Sequence, residues 1–295
     1  MSTDSVPTTA LHRRKLDMEN VRPENLCFVI GRPRSGTTVF KAMLQTHPEI
    51  WSFREVLNEN NPRSYLHFVK RLQIQDHDAI LPSRSIANFM KYLAWCRKTA
   101  LEHQAENKVV VLDVKYDQAH LICEPWWNIN SLPRIFSLMR ELGCKVIDVH
   151  RSDLVRLVIS NQIAIKTKIY HSNKLEPGEG QDAKLRIDPD RLLREISGTS
   201  KAYERVSRHF RGYADYLLIS YEEMFDQGEF SPALARRLAL FLGVSDKFDR
   251  KPQLEKLLAD DIFSYVENAD EVREHLARHS ASTSSVRSAG AGEAV

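Results

Sequence analysis

The segment best suited to bind an anion is Gly-Arg-Pro-Arg-Ser-Gly-Thr-Thr, at residues 31–38. It follows an apolar run at residues 26–30 and precedes a helical pattern of apolar residues. A strand, a glycine-rich loop and a helix in this order direct backbone N–H groups and a helix N-terminus towards one point, which binds phosphate-like anions. The segment matches the phosphate-loop pattern, GxxxxGK followed by Ser or Thr, except at the lysine, where Thr37 stands. We therefore predict an anion site without the loop lysine.

The charges of this loop differ from those of nucleoside triphosphatases. In those enzymes the loop lysine neutralises the β and γ phosphates, and the next hydroxyl ligates Mg²⁺. Here a guanidinium lies within the loop, and three hydroxyl groups flank its second glycine. Such a site suits an anion with fewer charges than a triphosphate, held without a metal, such as a phosphosulfate. The alternative is an ordinary turn with Arg34 in solvent. The predicted anion-binding residues are Arg32, Arg34, Ser35, Gly36, Thr37 and Thr38.

Composition narrows the class of protein to which this loop belongs. The 295 residues are 42% apolar and 27% charged, which excludes collagenous and wholly disordered chains. A net charge of +3 is too small to favour a nucleic-acid partner. The four cysteines show neither metal-site nor disulfide-framework spacing, which fits a reducing compartment. Because no apolar run has the length of a signal peptide core or a membrane span, we expect a cytoplasmic protein without a transmembrane segment.

Buried strands alternate with helical patterns along the chain. Apolar, β-rich runs at residues 26–30, 109–112, 146–149 and 216–219 each precede a turn or helix. The helical patterns lie at about residues 64–73, 86–104, 131–142, 189–209, 231–242 and 268–277. This alternation predicts an α/β fold in which a phosphate-binding loop belongs to a three-layer sandwich with a mostly parallel central sheet.

The chain is predicted to form one domain between two tails. Residues 1–24 are polar and are expected to be a flexible N-terminal tail, and residues 277–295, rich in Ser, Ala and Gly, a disordered C-terminal tail. The domain then covers residues 25–276. A long polar insertion at residues 172–189 is expected to be a mobile or functional loop, and as a hypothesis it closes over an acceptor.

The run Arg34-Ser35-Gly36-Thr37-Thr38 after a strand resembles the 5′-phosphosulfate loop of sulfotransferases that use 3′-phosphoadenosine 5′-phosphosulfate (PAPS). The sequence is most similar to bacterial carbohydrate sulfotransferases of the nodulation-factor and lipopolysaccharide type, and the resemblance covers about residues 25–276. It implies PAPS as cofactor, 3′-phosphoadenosine 5′-phosphate (PAP) as product, no metal, and a carbohydrate or glycolipid acceptor.

A second anion site is predicted at the end of another strand. Arg151 follows the apolar run at residues 146–149, so it and Gly31 would lie at the carboxyl edge of the sheet, where ligands of α/β proteins gather. The resemblance implies that Arg151 and Ser160, on the next helix, bind the 3′-phosphate. The spacing differs by about one residue from the common pattern. The alternatives are a surface ion pair for Arg151 and a hydrogen bond from Ser160 to a carbonyl of its own helix.

The resemblance also implies catalytic residues. Glu55, in the segment Glu55-Val56-Leu57-Asn58, matches the general base of the carbohydrate enzymes. Lys115 follows another strand and is expected to contact the acceptor or the transition state, while Arg34 contacts the phosphosulfate. Without the resemblance, Glu55 and Lys115 would be read as solvated surface residues. The predicted catalytic residues are Glu55, Arg34 and Lys115.

Other interpretations stay open at this point. A P-loop kinase would share the fold but should carry lysine at position 37 and a metal-binding aspartate, for which Asp113 is the candidate. A non-catalytic nucleotide- or glycan-binding module is the second alternative. Trp126 and Trp127 offer aromatic faces that stack on sugar rings, although one buried and one rim residue would explain them equally.

Overall fold

The computed structural model describes residues 25–103, 108–122, 131–168, 184–251 and 261–289, with side chains up to residue 279. The chain divides into two compact units, one of residues 1–152 and 205–253 and the other of residues 153–204 and 254–295. Three parts of the sequence discussed above lie outside the described residues: Trp126 and Trp127, residues 1–24, and most of the insertion at 172–189.

Five parallel strands form the central sheet of the first unit. They are β1 (Leu26–Gly31), β2 (Ile50–Glu55), β3 (Val109–Lys115), β4 (Lys145–His150) and β5 (Tyr216–Ser220), in the order β2-β3-β1-β4-β5. The α/β fold with a parallel sheet is thereby confirmed. Four of these strands were predicted because they are continuous apolar runs. β2 was not predicted, because on this edge strand only Ile50 and Phe53 are buried.

The described helices are α1 (Thr37–Gln45), α2 (Tyr65–Gln73), α3 (Ser85–His103), α4 (Arg134–Glu141), α5 (Leu154–Thr167), α6 (Pro189–His209), α7 (Pro232–Leu242) and α8 (Ala269–Ala289). A hairpin of two short strands, β6 (Phe225–Asp226) and β7 (Glu229–Phe230), precedes α7. No helix in the described ranges combines the length and apolar character needed to cross a membrane.

Helices cover both faces of the sheet. On one face, Val29 of β1 belongs to the same buried cluster as Phe40 of α1 and Leu238 of α7. On the other face, the ring of Phe28 lies 6.5 Å from that of Phe89 in α3. Successive residues of a strand point to opposite faces, so the fully buried β1 requires a layer on each side. The first unit is therefore a three-layer α/β/α arrangement.

The second unit contains α5, α8 and the first part of α6. The side chain of Asp153 caps α5 by accepting a hydrogen bond from the Arg156 N–H at 2.8 Å. Asn268, just before α8, bonds both the N–H and the carbonyl of Ile187. The helix α8 continues to Ala289, so the domain boundary predicted at residue 276 falls inside it.

The order of the strands locates the ligand-binding edge of the sheet. β1 is central, with β3 on one side and β4 on the other. The chain leaves β1 towards β2 and β3 and later crosses to β4 and β5, so the direction of winding changes at β1. In open α/β sheets ligands bind beside the carboxyl ends of the strands at such a point. The predicted anion loop follows β1 at this position.

Candidate active site

Two glycines shape the loop between β1 and α1. A Cβ atom at Gly31 would lie 2.8 Å from the Val149 carbonyl oxygen, so only glycine allows this approach to β4. Gly36 has φ of 97°, and a Cβ there would come within 2.3 Å of the Tyr221 ring. Both positions therefore require glycine for the path of the backbone.

The loop presents hydrogen-bond donors suited to an anion. No side chain caps the N-terminus of α1, and the first intrahelical bond runs from Phe40 N–H to the Gly36 carbonyl. The N–H groups of the first helical turn, at residues 37–39, thus remain for a ligand. The Ser35 hydroxyl is buried and has no hydrogen-bond partner among the described residues. A buried hydroxyl without a partner, beside an uncapped helix N-terminus, fits a phosphate- or sulfate-like group.

Arg151 lies against this loop. Arg34 adopts φ of 67°, the left-handed region that non-glycine residues seldom occupy. Its carbonyl oxygen accepts a hydrogen bond of 3.3 Å from Arg151 Nη1. The Arg151 guanidinium also lies 4.5 Å from the centre of the Tyr221 ring. The structure therefore brings two predicted anion-binding arginines together, and Arg151 is half-buried at the loop.

Lys115 lies at the carboxyl end of β3 in a buried cluster of charges. Its side chain is only 5% exposed, and its ammonium is 2.9 Å from both carboxylate oxygens of Asp113. It also donates to the Thr37 hydroxyl. Lys41 of α1 forms a second ion pair with Asp113. Lys115 is thus a buried residue of the loop environment and not a solvated surface lysine.

The charge of Asp113 is set by its neighbours. Burial alone would raise the pKa of this carboxyl, because a charge in a low-dielectric interior is unfavourable. The ammonium groups of Lys115 and Lys41 outweigh burial and hold the pKa below its ordinary value. Asp113 is therefore ionised at neutral pH.

Glu55 reaches the same edge through an irregularity in β2. Ser52 pairs with Val111 but Glu55 pairs with Asp113, so three steps along β2 match two along β3. Paired residues on parallel strands point to the same face, so this bulge turns Glu55 to the face of Asp113. Its Oε1 lies 3.7 Å from Lys115 Nζ.

Two amide groups hold the other oxygen of Glu55. Oε2 accepts hydrogen bonds from Asn58 Nδ2 at 2.9 Å and Gln118 Nε2 at 3.2 Å. The side chain is 21% exposed. The two amide hydrogen bonds fix the orientation of the carboxylate, and its other oxygen, Oε1, faces Lys115 at the carboxyl edge of the sheet. A carboxylate so held can accept a proton from a hydroxyl placed between it and the loop.

His150 belongs to a separate buried network at the end of β4. The Asp148 carboxylate accepts hydrogen bonds from the hydroxyls of Tyr116 and Tyr216 and lies 3.0 Å from His150 Nε2. Burial, reinforced by the Asp148 charge, raises the pKa of Tyr216, so its hydroxyl stays protonated and donates. These contacts give His150 a structural role in this network.

Ser160 lies in α5 of the second unit. It is buried, and its hydroxyl donates to the Leu157 carbonyl at 2.9 Å. This is the within-helix bond that the sequence offered as the alternative to phosphate binding. The hydroxyl oxygen retains lone pairs, and the proposed contact with a phosphate stays a prediction.

Several residues of the site were not predicted. Tyr221 packs under Gly36 and Arg151, and its position after a β-strand was the signal available. Lys41 lies one helical turn after Thr37, but a lysine on a helix ordinarily indicates a solvated face. Asn58 lies three residues from Glu55 in the same segment, whereas Gln118 touches Glu55 only because the chain folds back on itself, so no local pattern indicated Gln118.

The kinase alternative required Asp113 to hold a metal. Both of its oxygens instead receive Lys115, and Oδ2 also receives Lys41. Two ammonium groups already contact this carboxylate, and their charges repel a divalent cation. The environment of Asp113 therefore favours the phosphosulfate interpretation of the loop.

No curated protein matches the sequence. Among solved structures 11 chains match, including the sulfotransferase STF9 from Mycobacterium avium, with 13% identity and a TM-score of 0.43 over 92% of this chain and 80% of that chain. The model of the sulfotransferase family matches residues 27–249, which include the loop, Glu55, Lys115 and Arg151. Since this match spans most of the chain, the protein belongs to the sulfotransferase family.

Proposed function

We propose that this protein transfers a sulfuryl group from PAPS to a hydroxyl group of a carbohydrate or glycolipid acceptor. Membership of the sulfotransferase family implies PAPS as the donor. The resemblance of the loop to bacterial carbohydrate sulfotransferases supports a saccharide hydroxyl as the acceptor, on a lipo-oligosaccharide, a lipopolysaccharide precursor or another glycoconjugate.

The loop would hold the 5′-phosphosulfate. PAPS, when bound, supplies an electrophilic sulfuryl group on a phosphate leaving group. The uncapped N-terminus of α1, the Ser35 hydroxyl and the Arg34 guanidinium are the donors that we assign to it. We assign the 3′-phosphate to Arg151 and Ser160. The contact of Arg151 with the Arg34 carbonyl supports the assignment of Arg151.

Glu55 is the general base in this proposal. One carboxylate oxygen is held by Asn58 and Gln118, and the other lies 3.7 Å from Lys115 Nζ. Glu55 would take the proton of the acceptor hydroxyl. Lys115 and Arg34 would stabilise negative charge on the leaving phosphate. The observation that carries the proposal is this meeting of Glu55 and Lys115 beside Thr37 of the loop.

Donor binding is tested by calorimetric titration of the protein with PAP in the presence of EDTA. We expect metal-independent binding that is lost in Arg34→Ala, with Mg·ATP, titrated in buffer without EDTA, as the control ligand. Preference for Mg·ATP over PAP would overturn the proposal in favour of a kinase.

Catalysis is tested by transfer of labelled sulfate from PAPS to a panel of oligosaccharides and glycolipids. We expect turnover with at least one saccharide acceptor and PAP affinity that is unchanged in Glu55→Gln. PAP binding without turnover on any member of the panel would favour the non-catalytic nucleotide-binding module instead.

A further inference from the structure

Lys41 keeps the charges of the cluster beside the loop in balance. Lys41 and Lys115 contribute two ammonium groups, and Asp113 and Glu55 contribute two carboxylates, with Glu55 3.7 Å from Lys115. The side chains of Lys41, Lys115 and Asp113 are 10%, 5% and 0% exposed, and that of Glu55 is 21% exposed. Because water screens such buried groups poorly, the loss of one ammonium group would leave a net negative charge that repels an anion in the adjacent loop.

The cluster arises from the packing of one helix on one strand. Thr37 and Lys41 are four residues apart in α1 and so share a face of the helix. Asp113 and Lys115 alternate along β3 and share a face of the sheet, the face that α1 covers. Lys115 consequently reaches Thr37, the residue that stands where nucleoside triphosphatases carry the loop lysine.

We propose that Lys41 is a positioning residue for donor binding, which pairs with the carboxylate of Asp113 and so prevents Asp113 and Glu55 together from outweighing the ammonium of Lys115 beside the phosphosulfate. Lys115 then supplies from β3 the charge that the loop lacks at Thr37. The role of Asp113 is to hold the two ammonium groups together and to direct Lys115 towards the loop. This inference rests on the proposed use of PAPS.

The charges predict that one variant loses PAP affinity and a second substitution restores it. Lys41→Met leaves the single ammonium of Lys115 against the carboxylates of Asp113 and Glu55, and we expect PAP affinity to fall about tenfold. The double variant Lys41→Met/Asp113→Asn removes one charge of each sign and restores the balance between Lys115 and Glu55. Its PAP affinity should return to within about threefold of the unsubstituted protein, a residual of less than 1 kcal/mol.

The experiment is calorimetric titration of PAP into the full chain and its variants at low salt. Lys41→Gln is a second neutral variant that can still donate to Asp113, and it should lose affinity as Lys41→Met does. Lys41→Arg keeps the charge and should bind normally. Lys108→Met is the matched control, since it removes a lysine paired with a carboxylate at the other end of β3, about 23 Å away at about 3.3 Å per residue.

The outcomes separate this inference from the proposed function. If the unsubstituted protein does not bind PAP, the proposed function fails. If it binds PAP but Lys41→Met and Lys41→Gln bind equally well, the role of Lys41 is wrong. If the double variant binds as weakly as Lys41→Met, Lys41 supports the fold only, and the charge account is overturned. Circular dichroism below each unfolding midpoint verifies that each variant is folded. If Lys41→Met is not folded, the affinity of Lys41→Gln decides the outcome.

Discussion

A glutamate–lysine pair lies at each end of the β2–β3 ladder. Glu49 and Lys108 immediately precede the two strands and form an ion pair at their amino ends. Glu55 and Lys115 are the last residues of the same strands and meet at the carboxyl ends. The residue types are identical, so any difference in their properties comes from their surroundings.

The surroundings differ in burial and in the number of charged partners. Lys108 is 61% exposed and pairs with Glu49, whereas Lys115 is 5% exposed and lies between Asp113, Glu55 and Thr37. The carboxyl end also adjoins the anion loop and the N-terminus of α1. The comparison indicates that the pair at the carboxyl ends of the strands belongs to the candidate site, because the N-terminus of α1 and the buried charges converge at that edge of the sheet.

The largest expected contrast is between the two glutamates. Glu55→Gln removes the proposed base and should lower kcat by about 10²–10⁴-fold with PAP affinity unchanged. Glu49→Gln should leave kcat unchanged, since Glu49 lies at the opposite end of β2. Steady-state sulfate transfer to the best acceptor found in the panel measures both. Equal rates for the two variants would remove Glu55 from the mechanism.

Substitution of the two lysines should show the same contrast, with the larger loss of activity at the carboxyl ends of the strands. Lys115→Met removes a buried cation beside the loop, and we expect a loss of about 10²-fold in kcat/KM for PAPS. Lys108→Met should retain the normal value. A Lys115→Met enzyme with unchanged kcat/KM would show that the ammonium does not stabilise the reacting phosphosulfate.

Removing a carboxylate should destabilise the protein more at the carboxyl ends of the strands, in Asp113→Asn, than at their amino ends, in Glu49→Gln. Asp113→Asn leaves two buried ammonium groups without their anionic partner, which should lower the free energy of unfolding by about 3–5 kcal/mol. In Glu49→Gln the lysine that loses its partner, Lys108, is already 61% exposed to water, so the effect should be smaller. Urea unfolding at pH 7 compares the two. A larger loss in Glu49→Gln would contradict the difference that burial predicts.

The smallest expected effect is the pH dependence of the stability that Glu49 contributes at the amino ends of β2 and β3. Hydrogen bonds from Lys108 and from the Ser245 N–H lower the pKa of Glu49 from 4.5 to about 2. A lowered pKa stabilises the fold above pH 4.5, and this contribution is lost as the pH falls from 4.5 towards 2. The difference in urea midpoint between the unsubstituted protein and Glu49→Gln should therefore be constant from pH 7 to 5 and shrink below. A difference that grows on acidification would contradict this sign.

Local sequence patterns predicted much of this fold. The apolar runs of β1, β3 and β4 are buried on both faces, which makes them continuous and easy to recognise. The edge strand β5 is recognisable because its run is apolar, although only Ile219 is buried. In the edge strand β2 only Ile50 and Phe53 are buried and Arg54 is in solvent, so its pattern is weak. Family resemblance pointed to Glu55, because a single charged residue has no local signature, whereas Arg151 was also indicated by its position after the apolar run of β4.

The sequence by itself determined the phosphate-like loop, since strand, glycines and helix are adjacent in the chain and their geometry is local. It also determined that the loop lacks a lysine. Only the tertiary structure decided which cation replaces it. Lys115 reaches Thr37, and Lys41 reaches Asp113, because α1 packs on β3 across more than 70 residues of sequence. The bulge in β2 that turns Glu55 towards them depends on pairing with β3, and pairing between distant strands is a property that no local window contains.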